Sequence, residues 1–260
     1  MFKAFDFIYD DVMSSTYNLK LLRIEDGDGY TTGTSIPSKS FTMVKTNRST
    51  RKNIIGCTID DTVTFKLRIA IDSEEGNPVP IPRNCVGIIR NWLFNKTEFK
   101  KLRILQDDLN NCYYNAVFTE VTDLMLEGEI IGFETTVITD NTGMYRECRM
   151  TKTVKDSLVF NLLNESSNIN PTYPVMTIDF YDSDVTININ GRETIFKNIY
   201  SGSRIVLDCE TLIISNQEND LYNGNFNYVF PEFNNGKNII SITGSCKIIF
   251  DYNQIVEVGV

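Results

Sequence analysis

Carboxylates are the side chains best placed for chemistry in this sequence. Asp179, Asp182 and Asp184 lie within six residues of one another and could hold a cation at a loop, because hard cations prefer oxygen ligands. Other acids occur as adjacent pairs at turn-like positions: Asp60-Asp61, Glu74-Glu75 and Asp107-Asp108. Adjacent strand residues point to opposite faces, so such pairs do not converge on a substrate. We interpret these acids as solvated turn residues.

Few residues are candidates for other kinds of catalysis. The sequence has no histidine, which removes the commonest general base and metal ligand and every nucleophile that depends on a histidine. No glycine-rich phosphate loop follows a strand, and nothing marks two facing carboxylates of the kind that a glycosidase needs. We therefore predict no catalytic residues, no cofactor-binding residues, no metal ligands and no enzymatic activity.

The cysteines are widely spaced and form no CxxC pair, which argues against a zinc ribbon. They are Cys57, Cys85, Cys112, Cys148, Cys209 and Cys246. In a chain of 260 residues a disulfide framework is not expected. The pattern favours free, buried thiols in a protein made in a reducing cytosol.

Overall charge and hydropathy narrow the class further. The formal net charge is -9 and the sequence pI about 4.7, whereas binding to nucleic-acid backbones needs clustered Lys and Arg. No run approaches the ~18 apolar residues of a membrane span, and Met1–Asp11 does not resemble a signal peptide. Plain solubility accounts for the acidity, and a surface that repels DNA is a further interpretation.

The first half predicts strands and one helix. Thr64–Ile71 alternates apolar and polar residues, as a half-buried strand does. The segment at about 85–95 has helical spacing, with Val86, Ile89 and Leu93 on one face, Ile88 and Trp92 beside them, and Asn84 as the N-cap. We predict that Trp92, the only tryptophan, fills the core beneath a sheet.

Further strands are predicted at Lys101–Leu105, Cys112–Thr122 and Glu129–Thr139, the last two joined by a hairpin through Leu126-Glu127-Gly128. The polar segment at about 31–53 has few apolar residues and cannot build much core of its own. It is either a solvated loop or an arm that orders against a neighbouring subunit. The sequence alone weighs these two interpretations equally.

The second half has the pattern of a β-sandwich, which is a set of short strands at regular spacing. A turn at Asp140–Gly143 and a polar loop at Asn164–Pro171 precede it. Val185–Ile189 alternates and meets Asn190-Gly191, a strong signal for a two-residue hairpin. The other predicted strands are Val175–Phe180, Ile205–Cys209, Thr211–Ser215, Ile239–Thr243 and Lys247–Tyr252.

The order of these segments resembles the siphophage distal tail proteins, the hub of the tail tip or baseplate. The resemblance rests on the opening FKAFDFIYDD, on VGIIRNWLF followed by FKKLRILQDD, and on the paired strands of YYNAVFTEVTDLMLEGEIIGFETTVITDNTGMY. It continues through YPVMTIDFYDSDVTINING, SGSRIVLDCETLIIS and VFPEFNNGKNIISITG. Asn235–Ile240 (NGKNII) is its most recognisable piece, and the resemblance spans essentially the whole chain.

This resemblance implies a mainly β protein with two domains. Residues 1–145 would form a tail-tube-like β-sandwich or barrel that builds a ring, of six copies in the family, with residues 31–53 as an arm to the next subunit and a helix at about 85–95. Residues 146–260 would form a galectin-like β-sandwich that projects outward. The ring would join the tail tube to the tail-associated or tail fibre protein, contact the tape measure protein and let DNA pass without specific binding. It would be assembled in the host bacterial cytoplasm and would lie at the tip of the virion tail, with no membrane partner.

Two other functions remain open from the sequence. A carbohydrate-binding adhesin of a tail or tail-like particle would stack a sugar on an exposed aromatic ring, for which Tyr222, Phe226 and Tyr228 are candidates, although core packing is their favoured use. A hydrolase that degrades cell walls would need an acidic constellation that the sequence does not mark.

Overall fold

A computed structural model of the chain describes residues 4–22, 39–45, 51–59, 62–71, 79–106, 111–168, 170–216 and 225–256. The chain forms two units, the first extending to Met144 and the second spanning Tyr145–Val256. The strands described in the first unit are β1 (Ala4–Phe5), β2 (Phe7–Tyr9), β3 (Val12–Met13), β4 (Leu19–Leu22), β5 (Lys39–Val44), β6 (Asn53–Ile59), β7 (Thr64–Ile71), β8 (Lys100–Ile104), β9 (Cys112–Leu126) and β10 (Glu129–Thr139). The same unit contains a 3-10 turn at Ser14–Tyr17 and the helix α1 (Arg83–Phe94).

The main sheet of the first unit closes on itself. Its strands pair in the order β1-β4-β7-β10-β9-β8-β2-β3. Only Asp6 separates β1 from β2, so one short stretch of chain pairs with β4 through Phe5 and with β8 through Phe7. Because the path of paired strands returns to its starting point, this unit is a barrel. Its strands carry large side chains that are almost completely buried, among them Phe7, Tyr9, Leu19, Ile69, Leu102, Phe133 and Val137.

Two predicted strands of this barrel have the bounds that their alternation indicates, namely β7 and β10. The predicted hairpin between β9 and β10 is confirmed, with Leu126 opposite Glu129. Its two turn residues, Glu127 and Gly128, both have positive φ, the geometry of a type I′ turn. The prediction ended β9 at Thr122, four residues early, because the last residues of the strand are mostly exposed.

The predicted helix is present, but it begins earlier than expected. It starts at Arg83, and the carbonyl of Pro82 accepts the first helical hydrogen bond from the Val86 N–H at 3.2 Å. The N-cap is therefore Pro82, and the prediction of Asn84 as N-cap was wrong, since Asn84 already lies inside the first turn. The expected apolar face is buried through Val86, Ile89 and Leu93.

Trp92 lies at the contact between α1 and the barrel. Its ring is 7% exposed and stacks on Phe7, with ring centroids 5.7 Å apart. Its indole N–H donates to the backbone carbonyl of Tyr9 at 3.1 Å, and Tyr17 covers it at 5.1 Å. The predicted core role of Trp92 is confirmed. Ile88, predicted to lie beside it, instead points to solvent and is 52% exposed.

The strands described in the second unit are β11 (Met144–Val154), β12 (Ser157–Asn164), β13 (Val175–Phe180), β14 (Val185–Ile189), β15 (Arg192–Phe196), β16 (Arg204–Asp208), β17 (Ile213–Asn216), β18 (Gly236–Thr243) and β19 (Cys246–Val256), of which β11 begins at the last residue of the first unit. One sheet has the order β11-β19-β13-β16-β17, and the other has the order β12-β18-β14-β15. Their inner faces form one apolar core that includes Met176, Ile187, Phe196, Phe233, Ile242 and Phe250. This unit is therefore a β-sandwich, as the regular spacing of short strands predicts.

Two strands of the sandwich have no counterpart in the sequence prediction. The sequence predicts a turn at Asp140–Gly143 and a polar loop at Asn164–Pro171, and the unassigned residues between them form β11 and β12. In β12, which reads SLVFNLLN, apolar residues lie on both faces, so the period of two is hidden. The hairpin at Asn190-Gly191 is confirmed, since Ile189 pairs with Arg192 and both turn residues have positive φ.

The motif NGKNII begins β18 and is fixed by side-chain amides. Asn238 is completely buried, and its side chain accepts from the Asn234 N–H and donates to the Asn234 carbonyl, both at 2.8 Å. Asn190 donates to Asn238 Oδ1 at 2.8 Å and accepts from the Ile239 N–H at 2.9 Å. These bonds tie the hairpin turn to β18 and satisfy buried polar groups that would otherwise be costly.

Candidate assembly surfaces

Two of the three clustered aspartates, Asp179 and Asp184, accept hydrogen bonds within the fold. Both carboxylate oxygens of Asp179 accept hydrogen bonds from the guanidinium of Arg204, at 2.5 and 3.0 Å. This pairing holds the pKa of Asp179 below its usual value, against the opposing effect of partial burial. Asp184 accepts from the backbone N–H of Asn198 at 2.9 Å, whereas Asp182 is an exposed loop residue. Within the described ranges, no group of three or more Cys, Asp or Glu side chains could hold a metal ion.

Several predicted candidates lie outside the described residues. They are the acidic pairs Asp60-Asp61, Glu74-Glu75 and Asp107-Asp108, and the aromatic candidate Tyr222. In the part of the chain that the structure describes, no helix is long and apolar enough to cross a membrane.

The other two aromatic candidates have different environments. Phe226 is 7% exposed and stacks on Phe196 with ring centroids 4.9 Å apart, so it belongs to the sandwich core and offers no face to a sugar. Tyr228 is 59% exposed, with its ring 5.3 Å from that of Phe226. Of these two neighbouring rings, only that of Tyr228 is accessible to a ligand.

Cys85, Cys112, Cys148, Cys209 and Cys246 form no disulfide bonds, and the predicted burial holds for three of the five. Cys112, Cys209 and Cys246 are buried, while Cys85 and Cys148 are partly exposed. Burial raises the pKa of Cys209 to about 12, with the nearby Asp208 adding to the effect, and burial raises the pKa of Cys246 to about 11. The buried thiols of the sandwich thus stay protonated at neutral pH and are poor nucleophiles.

We expect thiol reagents to distinguish these two classes in the folded protein. At pH 8, Cys85 and Cys148 should be labelled first, and Cys209 and Cys246 should react roughly a hundred-fold more slowly or not at all, since the thiolate is the reactive form. Site-resolved mass spectrometry after timed labelling measures this, with urea-unfolded protein as the control in which all sites react alike. Rapid native labelling of Cys209 would contradict the expectation.

The first unit carries a hairpin of β5 and β6, here called the arm hairpin, which exposes many apolar side chains. These two strands pair only with each other in the described part of the chain, with Met43 opposite Ile54. Every residue described at 40–45 and 51–55 is exposed. Five of these side chains are large and apolar, with exposures of 43–65%: Phe41, Met43, Val44, Ile54 and Ile55.

An isolated two-stranded hairpin has marginal stability in water, because it buries too little apolar surface to offset its conformational entropy. Exposed apolar side chains clustered on such a hairpin indicate a surface that another chain covers. The segment predicted as a polar arm at 31–53 therefore overlaps a β-hairpin whose apolar side chains lie on the surface.

Opposite charges face each other on two neighbouring strands of the barrel, β7 and β10. Arg68 of β7 donates to Glu134 of β10 at 2.5 Å, and Lys66 lies 3.6 Å from the same carboxylate. The hydrogen bond from Arg68 holds the pKa of Glu134 below its usual value. The arrangement is a cross-strand ion-pair cluster that supports the sheet.

The described chain is thus a helix-braced β-barrel with an unpartnered arm hairpin, followed by a β-sandwich. The chain belongs to a family of phage tail proteins. Residues 2–141 match the phage tail protein N-terminal domain, and residues 143–252 match the phage tail C-terminal domain. No curated protein is recognisably similar to it in sequence.

Solved structures identify the fold more closely. The crystal structure of Dit from phage SPP1, described as a paradigm of the hub adsorption apparatus in phages infecting Gram-positive bacteria, is similar with a TM-score of 0.65 at 11% identity. The similarity covers 97% of this chain and 100% of SPP1 Dit. A chain of the phage P2 baseplate in its activated conformation is similar with a TM-score of 0.51 at 11% identity, covering 98% of this chain and 99% of that one. The protein is thus a phage tail protein with the fold of a Dit-type baseplate hub.

Proposed function

We propose that this protein is the ring-forming hub of a phage tail tip. Several copies, six by analogy with the family resemblance, close into a ring through the first unit, and the sandwich projects outward. The ring joins the tail tube to the tail-associated or tail fibre protein, with the tape measure protein as a further neighbour, and DNA passes through its lumen. It has no enzymatic activity and is assembled in the cytoplasm of the host bacterium.

The arm hairpin is the observation that carries this proposal. Its exposed apolar side chains need a partner, and a neighbouring copy in a head-to-tail ring supplies the same receiving surface to every subunit. A heterologous contact of this kind closes when the rotation between subunits divides a full turn. The formal charge of -9 supports passage of DNA, since a negatively charged lumen does not retain the phosphate backbone.

We expect the purified chain to form rings that depend on the arm hairpin. Replacing Ile54, which is 60% exposed, with Lys places a charge in the apolar contact and should raise the concentration needed for assembly by about tenfold or more. Light scattering gives the mass, and negative-stain images show whether the particles have a central hole. The matched control is Ile213→Lys on β17, where the original side chain is 58% exposed.

A wild-type chain that remains monomeric at high concentration, alone and with its tail tube protein, would contradict the ring. Equal loss of assembly in the Ile54→Lys and Ile213→Lys variants would contradict the role of the arm hairpin. Circular dichroism of both variants checks that each retains its β structure.

A further inference from the structure

The β12 strand is an uncovered edge of the sandwich. It pairs with β18 over all eight of its residues, Ser157–Asn164, without a bulge, and no described strand pairs with its other side. Its sequence SLVFNLLN has no charged residue, proline or glycine. Natural edge strands normally carry such residues, or a bulge, to prevent pairing with another chain. An edge of this length and composition is therefore a template for an added strand.

The opposite edge of the same sheet, formed by β15, is covered, in contrast to β12. The backbone of β15 is covered by the chain at Asn225–Val229, through a bond from the Asn227 N–H to the Ile195 carbonyl at 3.2 Å. The Asn227 side chain adds two more bonds, accepting from the Ile195 N–H and donating to the Glu193 carbonyl. One edge is thus covered by a loop and a side-chain amide, while β12 has no equivalent in the described chain.

The outer face beside this edge is apolar. Val159 is 68% exposed, Leu163 is 60% exposed, and Ile239 of β18 is 53% exposed. Asn161 lies opposite Ile239 in the register, so Ile239 is the diagonal neighbour of both Val159 and Leu163 on the same face. The three side chains form a patch that continues to the strand edge, and any strand that pairs with β12 extends over this face.

The sequence of β12 is self-complementary about Asn161. In an antiparallel pair centred on this residue, Val159 lies opposite the second copy's Leu163, and Phe160 lies opposite its Leu162. Every apolar residue on the outer face then meets an apolar residue, and Asn161 meets its own counterpart on the twofold axis. Facing residues keep the same side of the sheet, as the alternation of strand side chains requires.

We propose that β12 pairs with β12 of a second copy of this chain, so that two four-stranded sheets join into one of eight strands. Because β12 carries no charged residue, an antiparallel pair of two copies brings no charges face to face within the contact. The contact is isologous, whereas the proposed ring contact is heterologous, so it joins subunits of different rings or free chains.

Two substitutions separate this contact from the ring. Val159→Lys places a charge opposite Leu163 of the second copy and should raise the dimer dissociation constant by about tenfold or more, in the manner of natural edge protection. Ile54→Lys, in the arm hairpin, should leave the β12 dimer intact while it removes the ring. Sedimentation or light scattering of the wild type, each variant and the double variant gives the masses, with Ile213→Lys as the control for an added surface lysine.

If Val159→Lys leaves every mass unchanged, the β12 contact is wrong, whatever becomes of the ring. If Ile54→Lys has no effect while Val159→Lys abolishes dimers, the ring proposal fails and the β12 contact stands. If the wild-type chain stays monomeric but binds another tail protein, and Val159→Lys abolishes that binding, the β12 edge belongs to the other protein and self-pairing is overturned.

A disulfide provides a geometric test of the same contact. Opposite residues of an antiparallel pair have Cα atoms about 4.5–5.5 Å apart, within the range that a disulfide spans. Asn161→Cys should therefore form a symmetric crosslink on mild oxidation, identified by mass spectrometry as the peptide containing residue 161 joined to itself. Ser241→Cys, on the neighbouring strand of the same face, is the matched control and should crosslink far less. Equal crosslinking of the two variants would overturn the proposed register.

Discussion

Gly244→Ala should lower the free energy of unfolding of the sandwich by about 3 kcal/mol or more. Gly244 has φ +103, and a Cβ atom at this position would lie 2.2 Å from the backbone carbonyl oxygen of Asp184. The colliding atom belongs to the backbone of the strand entry at Val185, so relief requires β14 to move away from the turn between β18 and β19. Both the strained φ and the collision therefore contribute.

Gly191→Ala is the control that separates these two contributions. Gly191 has φ +91, but a Cβ atom there would meet nothing within 4 Å, so only the conformational cost of roughly 1–2 kcal/mol remains. Urea unfolding followed by far-ultraviolet circular dichroism measures both variants. The fluorescence of Trp92, which reports on the first unit, should show an unchanged transition. Equal destabilisation by the two substitutions would show that the carbonyl collision is absent.

Trp92→Ala should destabilise the first unit by about 3–5 kcal/mol, the range for removing a large buried aromatic ring. The substitution leaves a cavity between α1 and the barrel where the indole stacks on Phe7 and contacts Tyr17. It also leaves the Tyr9 carbonyl without the indole N–H as donor. The helix would lose its main anchor on the barrel.

Trp92→Phe separates the contribution of ring packing to this loss of stability from that of the hydrogen bond to Tyr9. A phenyl ring retains most of the stacking but cannot donate a hydrogen bond, so we expect a loss of about 1–3 kcal/mol. Hydrogen exchange with peptide-level mass spectrometry locates the effect, with faster exchange in peptides from Cys112–Leu126 and unchanged exchange in peptides from Val175–Phe180. A uniform increase across both units, or an alanine variant as stable as the phenylalanine variant, would contradict the anchoring role.

The strands that sequence reasoning predicted well are those with one buried and one exposed face. β7, β10, β13 and β14 have the bounds that alternation indicates, because burial in a packed sheet imposes a period of two on side-chain polarity. The hairpin turns at Glu127-Gly128 and Asn190-Gly191 were predictable for a local reason. Both need positive φ at two successive residues, which few residue types tolerate.

The remaining elements lack that signal for identifiable reasons. β12 carries apolar residues on both faces, and the described side chains of β5 are all exposed, so neither strand shows the alternation of a half-buried sheet. The start of α1 was misplaced because Asn84 has a good capping side chain, whereas the backbone of Pro82 begins the helix without one. Tertiary packing, rather than local preference, decides these cases.

The surfaces were harder to predict than the fold. The partner of Asp179 is Arg204, 25 residues away, and only the pairing of β13 with β16 brings them together. The segment at 31–53 could be identified as unable to build a core. The hairpin that it forms needs β6, most of which follows the segment, and two of the five exposed apolar side chains, Ile54 and Ile55, lie on β6. Local composition does not reveal that two strands pair, and the apolar surface exists only in the paired hairpin.

Closure of the barrel through Asp6 constrains how the protein is made. β2 obtains its partner β8 only when Lys100–Ile104 have been synthesised, about a hundred residues later. Until then, one side of the nascent N-terminal strand has no partner, and Phe7 and Tyr9 cannot be enclosed. Pairing across such a sequence separation is slow, because the entropy of closing a long loop is lost before the contacts form. β9 and β10, which complete the path between β8 and β7, follow β8 in the chain, so the barrel closes only after they too have been made.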